Sequence, residues 1–238
     1  MSGSNANLSA QRVSTSNGKV RVYDAVGVDS EQCKWFIRHV GLSLDDMMFT
    51  KGNSLSVRIV DMGPPLASLD SAKPTSVDVV GTADLSADDV SAIYTFICEQ
   101  LNEYQSLNGK KLDQYYVHPH LVKGDGEASA NRYSCAGFVY ECYLDIGITL
   151  VDLSSVPAVT AEPLKLAFLD QRRNLDRPER RGLVGLSGEG PWPVLLPGYL
   201  FHSLSRGSDQ IRQAAYQPQP GDECFPRLET ARPAKAEP

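Results

Sequence analysis

The sequence predicts an α+β fold, in which a small antiparallel sheet packs against helices. Two observations lead to this prediction. Residues 40–44 and 55–60 alternate apolar and polar side chains, which is typical of half-buried strands. Residues 86–107 and 134–145 instead combine helix start signals with apolar positions at helical spacing. The chain therefore contains both periodicities, each over segments long enough to form regular structure.

Composition is that of an ordinary globular protein. The 238 residues are 42% hydrophobic and 22% charged, and the net charge of -6 argues weakly against nucleic acid or an anionic membrane as the main partner. The sequence contains no apolar run of about 18 residues, so no membrane span is predicted. The first 18 residues lack the hydrophobic segment of a secretory signal, so we expect a cytoplasmic location, with non-classical secretion as the alternative.

The chain reads as one domain with two tails. Residues 1–18 are rich in Ser and Asn without periodicity, and residues 227–238 combine prolines with charges, so both are predicted to be disordered. A single domain is predicted over 19–226. Its last part, about 152–226, is rich in proline and glycine and is predicted to form a loop-rich extension.

The predicted strands begin with residues 35–44, an apolar run that passes into alternation. A turn signal at 51–53 and the alternating segment 55–60 follow, which together indicate an antiparallel hairpin. Gly-Pro-Pro at 63–65 ends the second strand. Residues 76–80 are a weaker strand candidate, and 115–122 reads as a strand interrupted by a proline.

Two helices have clear boundaries. Ser86 can cap the first helix, and Asp89 adds negative charge to its first turn. The second starts near Ser134, runs to about Asp145, and has Gly147 where a C-terminal cap is expected. The apolar stripe of the first helix is predicted to consist of Val90, Ile93, Tyr94, Ile97 and Leu101. Shorter helices are predicted at 162–170 and 196–204.

Cys135 is the residue of greatest chemical interest. It lies at the start of the second helix, where unpaired N–H groups and the helix dipole favour a thiolate. Small neighbours, Ala136 and Gly137, leave room for a substrate. The competing interpretation is that a cysteine in an apolar helix is a small buried hydrophobe. That interpretation is kept for the other cysteines, Cys33, Cys98, Cys142 and Cys224.

No cysteine or histidine spacing indicates a metal site. The five cysteines are widely spread and include no C-x-x-C pair, and the sequence has only four histidines. Neither a disulfide framework nor a structural metal is expected, and no cofactor is predicted.

A nucleophilic cysteine needs a base. His39 lies on an alternating strand that would hold its imidazole rigidly, and Gly41 is expected to leave open space on the same face. His118 and His120 end a strand that precedes the cysteine loop. His202 lies in an apolar context and is interpreted as structural.

The run from Ser134 to Tyr143, with Gly147 and Ile148 after it, resembles the cysteine-helix motif of the NlpC-like branch of papain-fold peptidases. Residues 38–42, Arg-His-Val-Gly-Leu, resemble the histidine strand of the same family. The histidine comes first here, an order similar to the circularly permuted branch with lecithin retinol acyltransferase-like enzymes and bacterial relatives. The resemblance implies a circularly permuted papain-like domain whose antiparallel sheet packs against the Cys135 helix.

The resemblance also implies a polar residue that orients His39 from the following strand. Folding the hairpin at 51–53 brings residues 61–65 opposite His39, and Asp61 is the carboxylate in that range. Asp61 could instead be a solvated strand end. An earlier turn would place Ser56 or Arg58 against His39.

Three further residues are candidate substrate or oxyanion contacts. The resemblance suggests Tyr133 as a wall of the site or an oxyanion contributor, with packing as the alternative. His118 or His120 would orient the site or bind substrate.

The predicted function is that of a thiol hydrolase that cleaves an amide, isopeptide or ester bond through Cys135 and His39 and an acyl-enzyme. Peptides, amides and lipid esters are the expected substrates. One alternative is an acyltransferase acting on a lipid or amine acceptor, with residues 191–204 lining an apolar channel. The other is a non-catalytic binding protein on the same scaffold. The sequence does not indicate an oligomeric state.

Overall fold

The larger sheet of the described residues lies in the first third of the chain and the described helices follow it, in agreement with the predicted α+β class. The structure is a computed structural model that describes residues 20–27, 35–43, 49–51, 54–62, 66–71, 79–81, 85–106, 116–124, 130–219 and 221–222. Both predicted tails, 1–18 and 227–238, lie outside the described residues.

The described strands form two antiparallel sheets. Their bounds are β1 Val20–Gly27, β2 Trp35–Ser43, β3 Phe49–Lys51, β4 Ser54–Met62, β5 Leu66–Ser71, β6 Val79–Gly81, β7 Leu121–Val122 and β8 Arg132–Tyr133. The larger sheet has the order β3-β4-β2-β1-β6, with β5 also paired to β4, and the smaller consists of β7 and β8. The central strands β2 and β4 are therefore the elements that can present side chains to a covering helix.

The described helices all follow the larger sheet along the chain. They are α1 Ala87–Ser106, α2 Cys135–Asp145, α3 Ala161–Ala167, α4 Arg172–Leu175, α5 Pro197–Leu204 and α6 Ser208–Gln213, with 3-10 turns at Leu153–Ser155, Leu169–Gln171 and Pro178–Val184. No helix of the described segments is both long and apolar enough to cross a bilayer.

Both principal helices begin where the sequence predicts, and their caps explain why. The backbone N–H of Ser86 donates to Asp89 Oδ2 at 2.8 Å, and the Asp89 N–H donates to Ser86 Oγ at 3.1 Å. Ser134 caps α2 by accepting the Gly137 N–H at 3.0 Å. Gly147 follows α2 with a φ of 77°, a left-handed conformation that favours glycine.

The predicted pairing of the strands at 35–44 and 55–60 is confirmed, with one addition. β2 pairs directly with β4, with Leu42 opposite Val60. The short strand β3 pairs with the beginning of β4, with Lys51 opposite Ser54. Residues 52 and 53 of the predicted turn lie outside the described residues.

The predicted strand over 115–122 is wrong for most of its length, because only Leu121–Val122 pairs as a strand. The N–H groups of Val117 and His118 donate to the Val184 carbonyl, at 3.0 and 3.3 Å, so these residues pair with the C-terminal part of the chain. Pro119 has no N–H to contribute to a ladder.

Helix α2 lies in the centre of the hydrophobic core. Eight of its residues are buried, and it packs against β2, β4, α1 and α5. The segment 191–204 belongs to the same core, since Val194, Leu196 and Leu200 are all 0% exposed. This part of the proline-rich extension is thus part of the core and does not line an open channel.

Candidate active site

Cys135 is the first residue of α2, directly after the capping Ser134. Its Sγ lies 4.0 Å from the carbonyl oxygen of Arg38, and the residue is 1% exposed. The sulfur therefore combines a helix N-terminus, which favours a thiolate, with a contact to β2. Because Arg38 directly precedes His39, the contact is with the strand segment that carries the imidazole.

His39 is bonded to a buried carboxylate. Its Nε2 lies 3.2 Å from Asp61 Oδ2, and the two side chains are 21% and 6% exposed, respectively. A carboxylate in this position orients the ring and stabilises the imidazolium that forms when the ring accepts a proton. Asp61 was chosen from the sequence as the partner of His39, and the two residues do lie in contact.

Strand register explains why Asp61 of β4 meets His39. The pairing of Leu42 with Val60 puts Asp61 opposite Gly41 and on the same face as His39. Ser56 and Arg58, the alternatives considered from the sequence, lie farther along β4 and pair with Phe49 of β3 and Asp70 of β5.

Gly41 has a different role from the one expected. A Cβ at this position would lie 2.8 Å from Ile59 Cγ2, 2.9 Å from the Val60 carbonyl oxygen and 3.0 Å from Asp61 Cβ. The expected open space is wrong, because β4 occupies it. Glycine here permits the close approach of β4 that brings Asp61 to His39.

His120 forms a second histidine–carboxylate pair, on the other side of α2. Its Nε2 lies 2.8 Å from Glu141 Oε1, and its ring meets Tyr140 edge-on with centroids 5.0 Å apart. At about 100° per residue, Gly137 and Glu141 lie about 200° and 240° around the helix axis from Cys135. His120 is therefore on the face of α2 that points away from the sulfur.

His118 is engaged by the C-terminal extension. Burial lowers its pKa from 6.5, the neighbouring His120 lowers it further, and a hydrogen bond to the Pro193 carbonyl opposes both effects. The neutral ring therefore acts as a donor that fastens residues 116–120 to the extension.

Tyr133 lies in the core. It is 1% exposed, its hydroxyl donates to Gln100 Oε1 at 2.8 Å, and its ring meets Phe138 edge-on. Burial raises the pKa of its phenol. This geometry is that of the packing alternative.

Cys142 and His202 have structural surroundings, whereas Cys98 is a partly exposed cysteine on α1. Cys142 is 0% exposed, and burial raises the pKa of its thiol well above the ordinary value, assisted by Asp145 and Glu141. His202 Nε2 lies 3.0 Å from the Asp222 carbonyl oxygen. Cys33 and Cys224 lie outside the described residues.

Among the residues that the structure describes, no group of three His, Cys, Asp or Glu side chains could hold a metal ion. No family model, curated protein or solved structure matches this chain.

Proposed function

We propose that this protein is a cysteine hydrolase that cleaves an amide, isopeptide or ester bond through Cys135, His39 and Asp61. One observation carries the proposal: the sulfur at the N-terminus of α2 packs against the strand whose histidine is bonded to a buried aspartate. Nucleophile, base and orienting carboxylate are thus on three adjoining elements.

In the proposed reaction, His39 accepts the thiol proton of Cys135 and the thiolate attacks the substrate carbonyl carbon. Backbone N–H groups at the beginning of α2 stabilise the negative oxygen of the tetrahedral intermediate. The intermediate collapses to a thioester as the amine or alcohol leaves with the proton from His39. Water then gives a proton to His39 and attacks the thioester, and the intermediate releases the acid and the thiolate, which takes back the proton from His39. Asp61 stabilises the imidazolium at both stages.

The circularly permuted papain-like arrangement is part of the same proposal. It is supported by an antiparallel sheet that carries the histidine on β2 and is covered by the cysteine helix. Because the apolar segment 191–204 packs in the core, it adds no support for an acyltransferase channel.

Reactivity of the thiol tests the proposal directly. Wild-type protein is treated with iodoacetamide at pH 7, and modified cysteines are located by fragment-ion mass spectrometry. We expect Cys135 to be alkylated before Cys142, because Cys135 lies at the N-terminus of α2, which favours its thiolate, whereas burial raises the pKa of the Cys142 thiol. Alkylation of Cys135 no faster than of Cys142 would contradict the proposal.

Trapping of the acyl-enzyme tests the chemistry. With p-nitrophenyl acetate as an activated ester, we expect an acetyl group on Cys135 and a burst of p-nitrophenol. Cys135→Ala should give neither product, and it serves as the matched control because Ala preserves a small residue at the helix start. Equal ester hydrolysis by Cys135→Ala and wild type would favour the non-catalytic alternative.

A further inference from the structure

Helix α1 buries a polar residue on its core face. Ile93, Ile97, Gln100 and Tyr104 recur at intervals of three or four residues, and each is at most 7% exposed. The sequence predicts Tyr94 for this stripe, but Tyr94 is 53% exposed. Burying an amide among apolar neighbours costs free energy unless its polar atoms are bonded, so Gln100 must have partners that repay the burial.

Those partners lie in the segment that leads into α2. Gln100 Oε1 accepts from Tyr133 Oη at 2.8 Å and from Asn131 Nδ2 at 3.1 Å. Asn131 is also held from its other side, since Gly124 N–H donates to its Oδ1 at 3.0 Å and the Tyr104 hydroxyl donates to its carbonyl oxygen. One amide oxygen of α1 is thus the point where two side chains of the segment converge.

These contacts are close to Cys135 along the chain. Asn131 directly precedes the two-residue strand β8, Tyr133 ends it, and only Ser134 separates Tyr133 from the cysteine. Ser134 is 0% exposed and caps α2 through its bond to Gly137. A single buried and hydrogen-bonded residue, Ser134, therefore separates the Gln100 network from the nucleophile.

The shared acceptor favours one arrangement of the entering segment, because displacement of Asn131 or Tyr133 takes its donor away from Gln100 Oε1. The first turn of α2 takes its direction from the residues that enter it. If those residues shift, the sulfur and the adjacent N–H groups shift with them.

We propose that Gln100 is a positioning residue for Cys135. Its Oε1 binds Asn131 and Tyr133, and these residues set the entry of the chain into α2. This inference rests on the proposed function, in which Cys135 is the nucleophile. Gln100 does not touch the reacting atoms, and its effect reaches them through β8 and Ser134.

Two substitutions at one position separate positioning from simple stability. Gln100→Leu removes the acceptor and leaves two buried donors unpaired, whereas Gln100→Glu keeps an oxygen that can accept from both. We expect Gln100→Leu to slow alkylation of Cys135 at pH 7 by about tenfold, a loss typical of a misplaced reacting group. Its rate–pH profile should also move to higher pH, since the thiolate loses its place at the helix start. Gln100→Glu should restore most of the rate even if it is less stable to heat.

Ser203→Ala is the matched control. Ser203 is also 0% exposed, and its Oγ donates to the Leu150 carbonyl at 2.5 Å, so the variant loses a buried hydrogen bond outside the Gln100 network. It should lower thermal stability and leave the rate–pH profile of Cys135 unchanged. Should Gln100→Leu fail to fold, Tyr133→Phe, which removes one of the two donors, should move the profile in the same direction by less.

The outcomes separate this inference from the proposed function. If folded Gln100→Leu has the wild-type rate–pH profile for alkylation of Cys135, the inference is overturned, although Cys135 can still be the nucleophile. If Gln100→Leu does not fold, a wild-type profile in Tyr133→Phe overturns the inference in the same way. An equal shift of the rate–pH profile in Ser203→Ala also overturns the inference, because the shift would then result from lower stability and not from the loss of the Gln100 contacts. If Cys135 does not react in the wild type, the proposed function itself is wrong.

Discussion

Two histidine–carboxylate pairs flank helix α2, and they are almost equal as chemical groups. His39 with Asp61 and His120 with Glu141 have N–O distances of 3.2 and 2.8 Å. Their imidazoles are 21% and 22% exposed. Neither distance nor exposure distinguishes a catalytic base from a structural pair.

Position around the helix does distinguish them. Cys135 Sγ contacts the backbone beside His39, while the His120 backbone packs against Gly137 on the far side of the helix. The comparison teaches that a histidine bonded to a carboxylate becomes a candidate base through its place relative to a nucleophile. A residue on the His120 side of α2 can therefore serve as the control for the corresponding residue on the His39 side.

The largest difference is expected between the two histidines. His39→Ala removes the proposed base and should lower the rates of Cys135 acylation and alkylation at pH 7 by about 10²- to 10⁴-fold. His120→Ala should change both rates by less than about twofold, because its ring lies on the opposite face of α2. The rates are measured with p-nitrophenyl acetate and iodoacetamide. The reverse ranking of the two variants would assign the base to His120.

The carboxylates should differ by less. Asp61→Asn preserves shape but removes the charge that stabilises the His39 imidazolium, a contribution of about 2 kcal/mol for a hydrogen bond to a charged group. The acylation rate should therefore fall roughly 30-fold. Glu141→Gln makes the same change beside His120 and should leave the rate near the wild-type value. Similar losses in both variants would show that charge near α2, and not the contact with His39, controls the rate.

Two glycines allow a test in which stability and reactivity change in opposite order. A Cβ at Gly137 would lie 2.1 Å from the His120 carbonyl oxygen, whereas at Gly41 the nearest atom is a side-chain carbon at 2.8 Å. Gly137→Ala should lower the free energy of unfolding by about 3 kcal/mol, at the upper end of the usual range for overpacking, and Gly41→Ala by about 1–2 kcal/mol.

Gly41→Ala should nevertheless lose more acylation rate per unit of lost stability, because the new methyl group pushes Asp61 away from His39. Urea denaturation measures the free energy of unfolding, and the ester assay measures the rate. If the rate falls only in proportion to stability in both variants, the proposed role of Gly41 is incorrect.

The smallest effects are expected at the two helix caps. Ser134→Ala and Ser86→Ala each remove a capping hydroxyl, worth about 1 kcal/mol of stability. Ser134 is 0% exposed, so water cannot replace its bond to Gly137, while Ser86 is exposed. Only Ser134→Ala should also slow alkylation of Cys135. A slower reaction in Ser86→Ala would indicate a general effect of helix stability.

Much of the local structure could be predicted because it depends on neighbouring residues. Helices α1 and α2 begin at Ser86 and Ser134 because a hydroxyl at those positions can bind an N–H group of the first turn. Alternation likewise identified β2 and β4, and the choice of Asp61 followed from their pairing.

Other features could not be predicted because distant packing decides them. On α1, the apolar Tyr94 is exposed and the polar Gln100 is buried, which is the reverse of what residue polarity predicts. Gln100 can be buried because its partners come from the segment before Cys135. The segment 191–204 packs in the core although its composition suits a channel equally well. A polar residue at a stripe position was the one signal in the sequence that could have indicated Gln100.

By itself, the sequence determined that a cysteine stands at the beginning of a capped helix and that His39 lies on a strand, because caps and alternation act over a few residues. Only the tertiary structure decided which histidine meets which face of α2. That choice arises from the packing of α2 on β2 and from the close approach of β4 at Gly41, and no local pattern encodes either contact.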